Sequence, residues 1–498
     1  MRFAIIAHKL IPESLLKNDE PTQIISGIDI IPQPPTNTNF SFNPNLKKLL
    51  TGKQLLLDEI PAKLNEIHQH YENGYITLRK GITLHKSKPK CERCGNQDST
   101  LFARFPCYRC GETCTYCRKC IMMGRVSTCT PLYGWADSNN IIQTRPNLEW
   151  TGTLSPGQQT ASAQVVDAIS TNKELLIWAV CGAGKTEVLF DGIHHALSQQ
   201  KRVCIATPRT DVVLELTPRL QAVFPSVEVA SLYGGSEDRH KYSPLTISTT
   251  HQLLRFYQAF DTVILDEVDA FPYSVDKTLR YVVTQARKPT SSMIYLTATP
   301  NTKWQGECRQ GKREFVTIPA RYHRNPLPVP KYIWCGNWSK VLEKNKLPSN
   351  VIKWLQHRID EGKQALLFIP KIELIPKILN ILQKLHPKIE AVHAEDPKRK
   401  EKVQALRNKE IPILVTTTIL ERGVTFPNLD VAVLGSEDRI FTESALVQIA
   451  GRVGRSAQYP TGDITFFHYG ITESMIKAKK QIQSMNTEAV KKGLVDVE

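Results

Sequence analysis

A glycine-rich turn at Trp178–Glu187, with the sequence W-A-V-C-G-A-G-K-T-E, closes an apolar run and opens a helical one. Leu175–Val180 is predicted as a buried strand, and Glu187–Gln200 is predicted as the helix after it. Gly182 and Gly184 let the backbone turn tightly enough for its N–H groups to face a polyphosphate. The turn therefore indicates a phosphate-binding loop between a strand and a helix.

The side chains after the glycines fit this interpretation. Lys185 can reach the β- and γ-phosphates, and the Thr186 hydroxyl can bind Mg²⁺. The general pattern G-x-x-x-x-G-K-[ST] expects a glycine at position 179, where this chain has Ala179. The loop alone is an incomplete match, so the rest of the sequence has to supply the other groups of a nucleotide site.

The composition limits the class of protein and its partners. The 498 residues are enough for about three domains, and the 41% hydrophobic content is typical of a globular protein. No apolar run is long enough to span a membrane, and the apolar patch after Met1 is too short for a secretory signal, so we predict a cytoplasmic protein. The net charge of +16 favours a polyanionic partner, nucleic acid ahead of an anionic membrane surface, although a merely basic protein would show the same excess.

Short apolar segments alternate with helical ones in two parts of the chain, which predicts two α/β domains, each with a parallel sheet covered by helices. The strands predicted for the first domain are Glu174–Val180, Arg202–Pro208, Val227–Tyr233, Leu245–Thr250, Asp261–Glu267 and Met293–Thr299. The strands predicted for the second domain are Gln364–Ile369, Ile389–His393, Ile413–Thr418, Val431–Leu434 and Asp463–His468. The proline-rich stretch Ile318–Pro330 between them is predicted as a linker.

Two carboxylates follow a predicted strand of the first domain. Asp266–Asp269 reads D-E-V-D directly after the apolar residues T-V-I-L. Asp266 can hold Mg²⁺, and Glu267 can orient or deprotonate the attacking water. Carboxylate pairs after strands are also common at surfaces, but a phosphate loop upstream on the same sheet favours the metal and base interpretation.

Arginines of the second domain complete the predicted chemistry. Gln448–Arg455 reads Q-I-A-G-R-V-G-R, on a domain that has no phosphate loop of its own. Arg452 and Arg455 would suit arginine fingers that reach the γ-phosphate across a cleft. Hydrolysis would then open and close the cleft, which is motor behaviour.

Two further segments have two interpretations each. Gln158 or Gln159, in L-S-P-G-Q-Q, can read an adenine edge, and helix capping by Ser155 explains the same residues about as well. The hydroxyls of Thr297–Pro300, T-A-T-P, can couple the nucleotide site to the second domain or cap the end of a strand.

Eight of the twelve cysteines crowd into Cys91–Cys129, which indicates metal binding in a long cytoplasmic chain. The spacing of Cys91/Cys94 and Cys107/Cys110 is that of a zinc ribbon, in which four thiolates form a structural tetrahedral site. The remaining four could close a second site: Cys114, Cys117, Cys120 and Cys129. An interleaved arrangement that joins Cys91/Cys94 to Cys114/Cys117 also uses all eight, so the spacing leaves the pairing open. Four disulfides are the competing interpretation, against which the compartment argues.

Basic and aromatic residues are interleaved around the cysteines. This pattern predicts either a nucleic-acid surface or a solvated basic rim. The residues are Lys88, Lys90, Arg104, Arg109, Arg118, Lys119 and Arg125 with Phe102, Phe105, Tyr108 and Tyr116.

In this order, the motifs over residues 155–498 resemble those of superfamily 2 helicases and translocases. The stretch 179–187 is similar to motif I, A-x-x-G-x-G-K-T, in which Ala179 is expected. Asp266–Asp269 resembles motif II, Thr297–Pro300 motif III, Phe368–Pro370 motif IV and Gln448–Arg455 motif VI. The implied nucleotide-binding residues, taken with Gln158, are Cys181, Gly182, Ala183, Gly184, Lys185, Thr186 and Glu187. The implied catalytic residues are Lys185, Thr186, Asp266, Glu267, Gln448, Arg452 and Arg455, with Thr186 and Asp266 on Mg²⁺.

Other segments resemble the motifs that contact nucleic acid in this superfamily. Thr207–Pro208–Arg209 with Glu215–Leu216 resembles motif Ia, Thr249–Leu253 looks like a DNA-contact segment, and Thr416–Gly423 looks like motif V. The resemblance implies DNA contacts by Thr207, Pro208, Arg209, Thr250, Thr418 and Arg422. Motif VI begins with glutamine and motif II reads D-E-V-D, and both forms differ from those of DEAD-box RNA helicases, which favours DNA as the substrate.

A cysteine-rich module ahead of the motor, ending C-x-x-C-R-K-C-I-M-M-G-R-V, and the sequence D-E-V-D-A-F-P closely resemble the ComFA family of late-competence DNA-uptake ATPases from Gram-positive bacteria. The resemblance implies a cytoplasmic ATPase, stimulated by single-stranded DNA, at the inner face of the uptake machinery, with peripheral membrane association. It implies ATP, Mg²⁺ and Zn²⁺ as cofactors, and single-stranded DNA, the phosphoribosyltransferase-like ComF operon protein C and DNA-processing proteins as partners. The related replication-restart helicase PriA places its zinc cysteines inside the second motor domain instead.

We therefore predict an α/β chain with two RecA-like motor domains. The predicted divisions are an N-terminal region of unknown role (1–90), a zinc module (91–130), a connector (131–153), motor domain 1 (154–320), a proline-rich linker (321–345) and motor domain 2 (346–498). The predicted function is an ATP-dependent single-stranded DNA translocase or helicase that drives DNA uptake in natural competence. The alternatives are a PriA-like helicase, an RNA helicase, and a zinc-stabilised DNA-binding adaptor that uses ATP as a conformational switch.

Overall fold

The computed structural model describes residues 1–86, 88–137, 145–422 and 426–496. The chain divides into two compact units. The first unit contains Met1–Thr151, Val165–Glu174 and Phe190–Tyr295, and the second contains Gly152–Gln164, Leu175–Leu189 and Leu296–Glu498. The phosphate loop and the arginine-rich segment therefore belong to the same unit.

The N-terminal part forms a small sheet and two helices around a core of its own. Strands β1 (Arg2–Ile6), β2 (Lys9–Pro12) and β3 (Gln23–Ile24) pair antiparallel in the order β2–β1–β3. Helices α1 (Pro44–Leu50) and α2 (Leu64–Glu72) and strand β4 (Ile76–Lys80) follow. Phe3, Leu50, Tyr71 and Ile76 are buried together, so this part of the chain has its own hydrophobic core.

The cysteine module consists of two short hairpins. Strands β5 (Ile82–His85) and β6 (Lys88–Cys91) form the first, and β7 (Phe102–Pro106) and β8 (Thr113–Cys117) form the second. Strand β9 (Pro131–Trp135) then pairs antiparallel with β4. The module is therefore an insertion between two paired strands, which fix both of its ends.

Residues 52–59 connect the N-terminal part to residues 252–257 of the same unit. The N–H of Gln54 donates to the carbonyl of Arg255 at 2.7 Å, and the N–H of Tyr257 donates to the carbonyl of Gly52 at 3.0 Å. The Arg255 guanidinium also pairs with Glu59 at 3.1 Å. Such main-chain contacts are those of a structural brace.

The first sheet has seven strands. They are β10 (Glu174–Ala179), β11 (Val203–Thr207), β12 (Val229–Leu232), β13 (Leu245–Thr249), β14 (Phe260–Leu265), β15 (Arg287–Thr297) and β16 (Phe315–Ile318), in the order β12–β13–β11–β14–β15–β10–β16. The accompanying helices are α3 (Pro156–Ser170), α4 (Phe190–Ser198), α5 (Thr210–Val223), α6 (Lys277–Ala286) and α7 (Thr302–Arg309). All residues of β11 and β13 are buried, as expected for central parallel strands.

The second sheet has six parallel strands in the order β17–β22–β21–β18–β20–β19. They are β17 (Lys331–Trp334), β18 (Gln364–Phe368), β19 (Glu390–Val392), β20 (Ile413–Thr416), β21 (Leu429–Leu434) and β22 (Ile464–His468). The helices are α8 (Trp338–Glu343), α9 (Ser349–Asp360), α10 (Ile375–Leu382), α11 (Arg399–Arg407), α12 (Glu443–Ala450) and α13 (Glu473–Lys491). Leu366 and Phe368 join one buried cluster while Ala365 and Leu367 join another, so both faces of the sheet are covered.

The helices of the described ranges include none that has both the length and the apolar character needed to cross a bilayer.

The two predicted parallel sheets are confirmed, and the structure adds a strand to each. Strands β16 and β17 were not predicted, and β17 and α8 lie within residues 321–345, where a linker was predicted. Both strands lie at the ends of their sheets. An edge strand is covered on fewer sides than a central one, so its apolar pattern is weaker. The helix predicted to begin at Glu187 begins instead with a short 3₁₀ turn that precedes α4.

Candidate nucleotide site and metal centres

The predicted phosphate loop begins directly after β10. Ala179 is the last residue of that strand, and Gly182 and Gly184 have φ angles of +82° and +68°. Residues with a Cβ rarely adopt such angles, so the two glycines are required for the turn. Lys185 and Thr186 follow and are half-buried. The backbone therefore makes the tight turn that phosphate binding needs, with both predicted side chains beside it.

Gln158 lies against this loop. Its Nε2 donates to the carbonyl of Ala183 at 2.9 Å, and its Oε1 accepts from the N–H of Ser155 at 2.8 Å. A Cβ on Gly184 would clash with the Gln158 amide, so only glycine fits there. Gln158 therefore contributes to the cap of α3 and braces the loop. Contact with adenine by Gln158 or Gln159 stays a prediction.

Asp266 and Glu267 follow β14 in the first unit. The N–H of Asp266 donates to the carbonyl of Ala206 at 2.8 Å, and the carboxylate of Asp266 accepts from the N–H of Glu267 at 2.8 Å. Glu267 has a φ of +55°, an uncommon value for a residue other than glycine. Such backbone strain persists only where the surroundings hold it, and it is concentrated at functional sites.

The arginine-rich turn, residues 451–455, follows α12. The Nε of Arg455 donates to the carbonyl of Gly451 at 2.8 Å, and the side chain is half-buried. The Nε of Arg452 donates to the carbonyl of Glu421 at 3.1 Å, and the side chain is fully buried. The two predicted arginine fingers are therefore held by main-chain carbonyls of the second unit.

A third arginine, Arg321, joins the phosphate loop to the arginine-rich turn within the second unit. Its guanidinium donates to the carbonyls of Cys181 at 3.0 Å, Gly451 at 3.2 Å and Val453 at 2.7 Å. The Cys181 thiol also donates to the Gln448 side chain at 3.1 Å. Sequence reasoning missed Arg321, because the segment predicted as a linker has no periodicity that would mark a buried residue.

The hydroxyls of the T-A-T-P segment make hydrogen bonds of two kinds, and coupling to the nucleotide site stays a prediction. The N–H of Thr299 donates to the Thr297 hydroxyl at 2.9 Å, which is a turn-capping contact. The Thr299 hydroxyl donates to the Ser444 hydroxyl at 2.8 Å, and Arg422 donates to the same Ser444 at 3.2 Å. A hydroxyl of this segment therefore reaches α12 and the neighbourhood of motif V.

Of the DNA contacts predicted in the first sheet, most are buried. The side chains of Thr207, Pro208 and Thr250 are buried at the ends of β11 and β13. Arg209 is half-buried and pairs with Asp211 at 2.7 Å. Arg209 is therefore the member of this group whose side chain is accessible in the present conformation.

The motif V segment is only partly described. Thr418 is half-buried in a short 3₁₀ turn, Thr418–Leu420, and Arg422 is buried. Gly423, the last residue of the predicted motif, lies outside the described residues. Contacts with DNA at Thr418 and Arg422 stay predictions.

The eight clustered cysteines form two groups of four buried thiols. The first group is Cys91, Cys94, Cys117 and Cys120, and the second is Cys107, Cys110, Cys114 and Cys129. Two sulfur–sulfur distances in each group lie between 3.3 and 3.9 Å, and all four sulfur atoms of a group lie within 4.8 Å of one another. A tetrahedral zinc site with Zn–S bonds of about 2.3 Å has sulfur–sulfur edges of about 3.8 Å. Both groups are therefore compatible with zinc.

The structure groups the cysteines in neither of the two ways that were named while the spacing left the pairing open. The ribbon pairing put Cys91/Cys94 with Cys107/Cys110, and the interleaved pairing put Cys91/Cys94 with Cys114/Cys117. The physical reason is that Cys114-x-x-Cys117 lies in strand β8 and not in a turn. Three residues of strand span about 10 Å and turn the two side chains to opposite faces, so one metal cannot bind both. Each of these cysteines therefore joins a different group.

Arg93 lies beside the first cysteine group and contacts Cys120. Its Nη2 lies 3.2 Å from the Cys120 sulfur and donates to the carbonyls of Cys120 at 2.8 Å and Gly124 at 2.7 Å. The side chain is fully buried. A cation at this distance favours the thiolate form that a metal requires, and sequence reasoning did not single out this residue.

Several basic residues of the module are used within the protein. Arg109 pairs with Asp58 at 2.8 Å, and Lys119 pairs with Asp276 at 2.9 Å. Arg125 lies over the rings of Phe105 and Tyr116 at 4.7 and 5.3 Å. These three cations therefore contact groups of the protein itself, and a nucleic-acid surface on the module stays a prediction.

Three family models match this chain. Residues 37–134 match the competence protein ComFA N-terminal domain, residues 151–302 the type III restriction enzyme res subunit, and residues 346–457 the helicase conserved C-terminal domain. With two parallel sheets and a phosphate loop, these matches define the class as a superfamily 2 helicase or translocase, an ATPase type that implies ATP and Mg²⁺.

Two relatives identify the family within this class. The chain is 50% identical over 457 residues to competence protein ComFA of Bacillus subtilis (strain 168), covering 92% of this chain and 98% of that protein. It is 41% identical over 395 residues to competence protein ComFA of Streptococcus pneumoniae (strain ATCC BAA-255 / R6), covering 77% and 90%. The chain belongs to the ComFA family of competence proteins.

A solved structure agrees with the fold. S. cerevisiae Dbp5 bound to RNA and ADP BeF3 matches with a TM-score of 0.50 and 13% identity, over 70% of this chain and 95% of that chain. At this identity the similarity concerns the fold alone and carries nothing about the substrate.

Proposed function

We propose that this chain is an ATP-driven single-stranded DNA translocase that acts in DNA uptake during natural competence. Membership of the ComFA family supports the cellular process, and the net charge of +16 supports a polyanionic partner. The glutamine-first motif VI and the D-E-V-D motif favour DNA over RNA.

The single observation that carries the proposal is the direct contact between the phosphate loop and the arginine-rich turn. Cys181 of the loop bonds to Gln448 and, through its carbonyl, to Arg321, which also binds Gly451 and Val453. In a motor of this class, arginines beside the phosphate loop can stabilise charge on the transferred phosphoryl group. The contact thus supports a part for the arginine-rich turn in ATP turnover at this loop.

We assign the following roles in hydrolysis. Lys185 binds the β- and γ-phosphates, and Glu267 orients and deprotonates the attacking water. Thr186 and Asp266 would hold Mg²⁺, which neutralises charge on the phosphates when bound. Arg455, with Arg452, stabilises charge that develops on the γ-phosphoryl oxygens.

We further propose that the two cysteine groups bind one zinc ion each. Four thiolates saturate a tetrahedral ion and leave no position for a substrate, so the role is structural. The ions would hold the hairpins of the module, because the cysteines make up most of its buried residues.

ATP hydrolysis measured with and without single-stranded DNA tests the proposal. We expect Lys185→Ala and Glu267→Gln to lose turnover, because one removes a phosphate ligand and the other the base, while single-stranded DNA still binds. The matched control is Lys303→Ala, which removes an exposed lysine of α7. Hydrolysis at the wild-type rate in the Lys185 variant would show that the ATP site is misassigned.

Two further measurements separate the alternatives. A translocase displaces streptavidin from a biotinylated end of single-stranded DNA in an ATP-dependent way, whereas a switch-type adaptor hydrolyses ATP without displacement. Stimulation by single-stranded DNA, duplex DNA and RNA of equal length identifies the substrate. Stronger stimulation by RNA than by DNA would contradict the proposal.

A further inference from the structure

We propose that Arg321 is a positioning residue for ATP hydrolysis. It holds the arginine-rich turn at a fixed position against the phosphate loop. The inference rests on the proposed function, since it assumes that Arg455 acts on ATP. Arg321 itself needs no contact with the nucleotide. It lies in the segment between the two sheets, after β16, and its side chain is 2% exposed.

The hydrogen bonds of Arg321 all go to main-chain carbonyls. Besides Cys181, Gly451 and Val453, the guanidinium donates to the carbonyl of Gly454. Three of these four acceptors belong to the arginine-rich turn and one to the phosphate loop. A planar group with several fixed donors can hold these two segments at one distance, which a flexible ammonium cannot do.

Stability alone does not account for this residue. In the described part of the chain, Arg321 has no carboxylate within ion-pair distance, and burial together with the nearby Arg455 lowers the pKa of Arg321 to about 10. A buried charge without a counter-ion is costly, so the presence of one here calls for an explanation in the four carbonyls that it bonds. A role in placing the neighbouring segments explains why a charged fork is present.

Arg321 and Arg455 share an acceptor. The carbonyl of Gly451 accepts hydrogen bonds from both the Nε of Arg455 and the Nη2 of Arg321. A Cβ placed on Gly182 would lie 3.5 Å from the Arg321 Nε and 3.8 Å from the Arg455 Cγ, so both side chains border the loop at the same point. Without Arg321, the Gly451 carbonyl would therefore be free to move, and Arg455, which it orients, would move with it.

The phosphate loop and the arginine-rich turn are in direct van der Waals contact. A Cβ on Gly451 would overlap the side chain of Cys181, so the turn packs directly on the loop. In such a contact a small displacement of the turn moves Arg455 away from the reacting phosphate. Misplacement by about 1 Å can cost about a hundredfold in rate.

The test is steady-state ATP hydrolysis by the full-length chain with single-stranded DNA. We expect Arg321→Gln to lower kcat by about tenfold to a hundredfold, because the transition state loses an oriented arginine. The KM for ATP stays within about threefold, since the phosphate ligands of the loop remain. The control is Arg324→Gln in the same segment, where Arg324 pairs with Asp496 and not with the loop.

A double-mutant cycle separates positioning from general damage. If Arg321 acts through Arg455, Arg321→Gln adds little to the defect of Arg455→Ala, and the double variant is within about twofold of Arg455→Ala alone. If the falls in kcat of the two single variants multiply in the double variant, the proposal is wrong. It is also wrong if the kcat of Arg321→Gln is within about twofold of wild type.

A second substitution at Arg321 covers the case in which Arg321→Gln does not fold. If Arg321→Gln does not give a cooperative thermal transition, Arg321→Lys takes its place, because lysine keeps the charge and loses the fork; the same fall in kcat is expected. Retained hydrolysis in Lys185→Ala would refute the ATP site itself. Loss in Lys185→Ala with normal rates in both Arg321 variants would refute only the positioning role.

Discussion

Lys53 is a buried lysine that lies outside every sequence motif described above. Its side chain is 3% exposed, and its ammonium donates to the carbonyl of His240 and lies 5.9 Å from the Phe256 ring. Burial, reinforced by the nearby Arg255 and partly offset by Glu59, lowers the pKa of Lys53 from 10.5 to about 7. The folded chain therefore releases this proton near neutral pH, whereas the unfolded chain keeps it.

This difference predicts a pH-dependent stability. Between about pH 7 and 10.5 the unfolded state binds more protons, so stability rises with pH in that window, by at most about 1.4 kcal/mol per pH unit. Lys53→Met removes the titration, so its thermal midpoint relative to wild type is highest near pH 7 and falls toward pH 10. The measurement compares thermal midpoints of the zinc-loaded proteins at several pH values, with the exposed Lys48→Met as control. A difference in midpoint that does not change with pH would contradict this account.

Strand β8 shows how one element decides a metal site. Its register places Cys117 opposite Phe102 and Cys114 opposite Phe105, at different ends of the hairpin. The chain continues from β7 into Cys107, which joins the group of Cys114. The same C-x-x-C spacing in a turn would have brought both thiols to one metal, so the backbone conformation and not the spacing sets the pairing.

Metal content of paired variants tests the pairing. Cys114→Ser with Cys117→Ser removes one ligand from each group, and we expect the loss of both zinc ions. Cys91→Ser with Cys94→Ser removes two ligands from one group, and we expect the loss of one ion. Either of the two arrangements that the spacing left open would instead leave one ion in the Cys114/Cys117 variant. Zinc per chain, measured by mass spectrometry on folded protein, decides between these outcomes.

On the scale of the whole chain, the groups of the proposed nucleotide site come from segments far apart in sequence. The phosphate loop and the arginine-rich turn belong to one compact unit, although they lie far apart along the chain. The chain carries 64 basic and 48 acidic residues, a net charge of +16. A protein of this charge gains binding energy from the release of counter-ions when it neutralises phosphates.

The charge excess predicts a steep salt dependence of DNA stimulation. We expect the concentration of single-stranded DNA that gives half-maximal ATPase stimulation to rise with salt, because each neutralised phosphate contributes about −0.7 to the slope of log affinity against log salt. The rate without DNA serves as the internal control for direct effects of salt on hydrolysis. A half-maximal concentration that does not change with salt would mean that phosphate contacts do not drive binding.

The central strands could be predicted because their signal is local. Val203–Thr207 and Leu245–Thr249 are runs of apolar and β-branched residues that are buried on both faces, and such runs are visible in any sequence. The edge strands Phe315–Ile318 and Lys331–Trp334 could not be predicted, since they are short and partly exposed. Prolines near Lys331 also favoured a linker there.

The residues that do the proposed chemistry are readable from the chain alone, because a phosphate loop, a carboxylate pair after a strand and two clustered arginines each need particular residue types at short spacing. How these groups combine is not local. The pairing of eight cysteines depends on whether Cys114–Cys117 is extended, and the importance of Arg321 depends on carbonyls from residues more than a hundred positions away in both directions along the chain. Those contacts exist only after folding, so no spacing in the sequence could have revealed them.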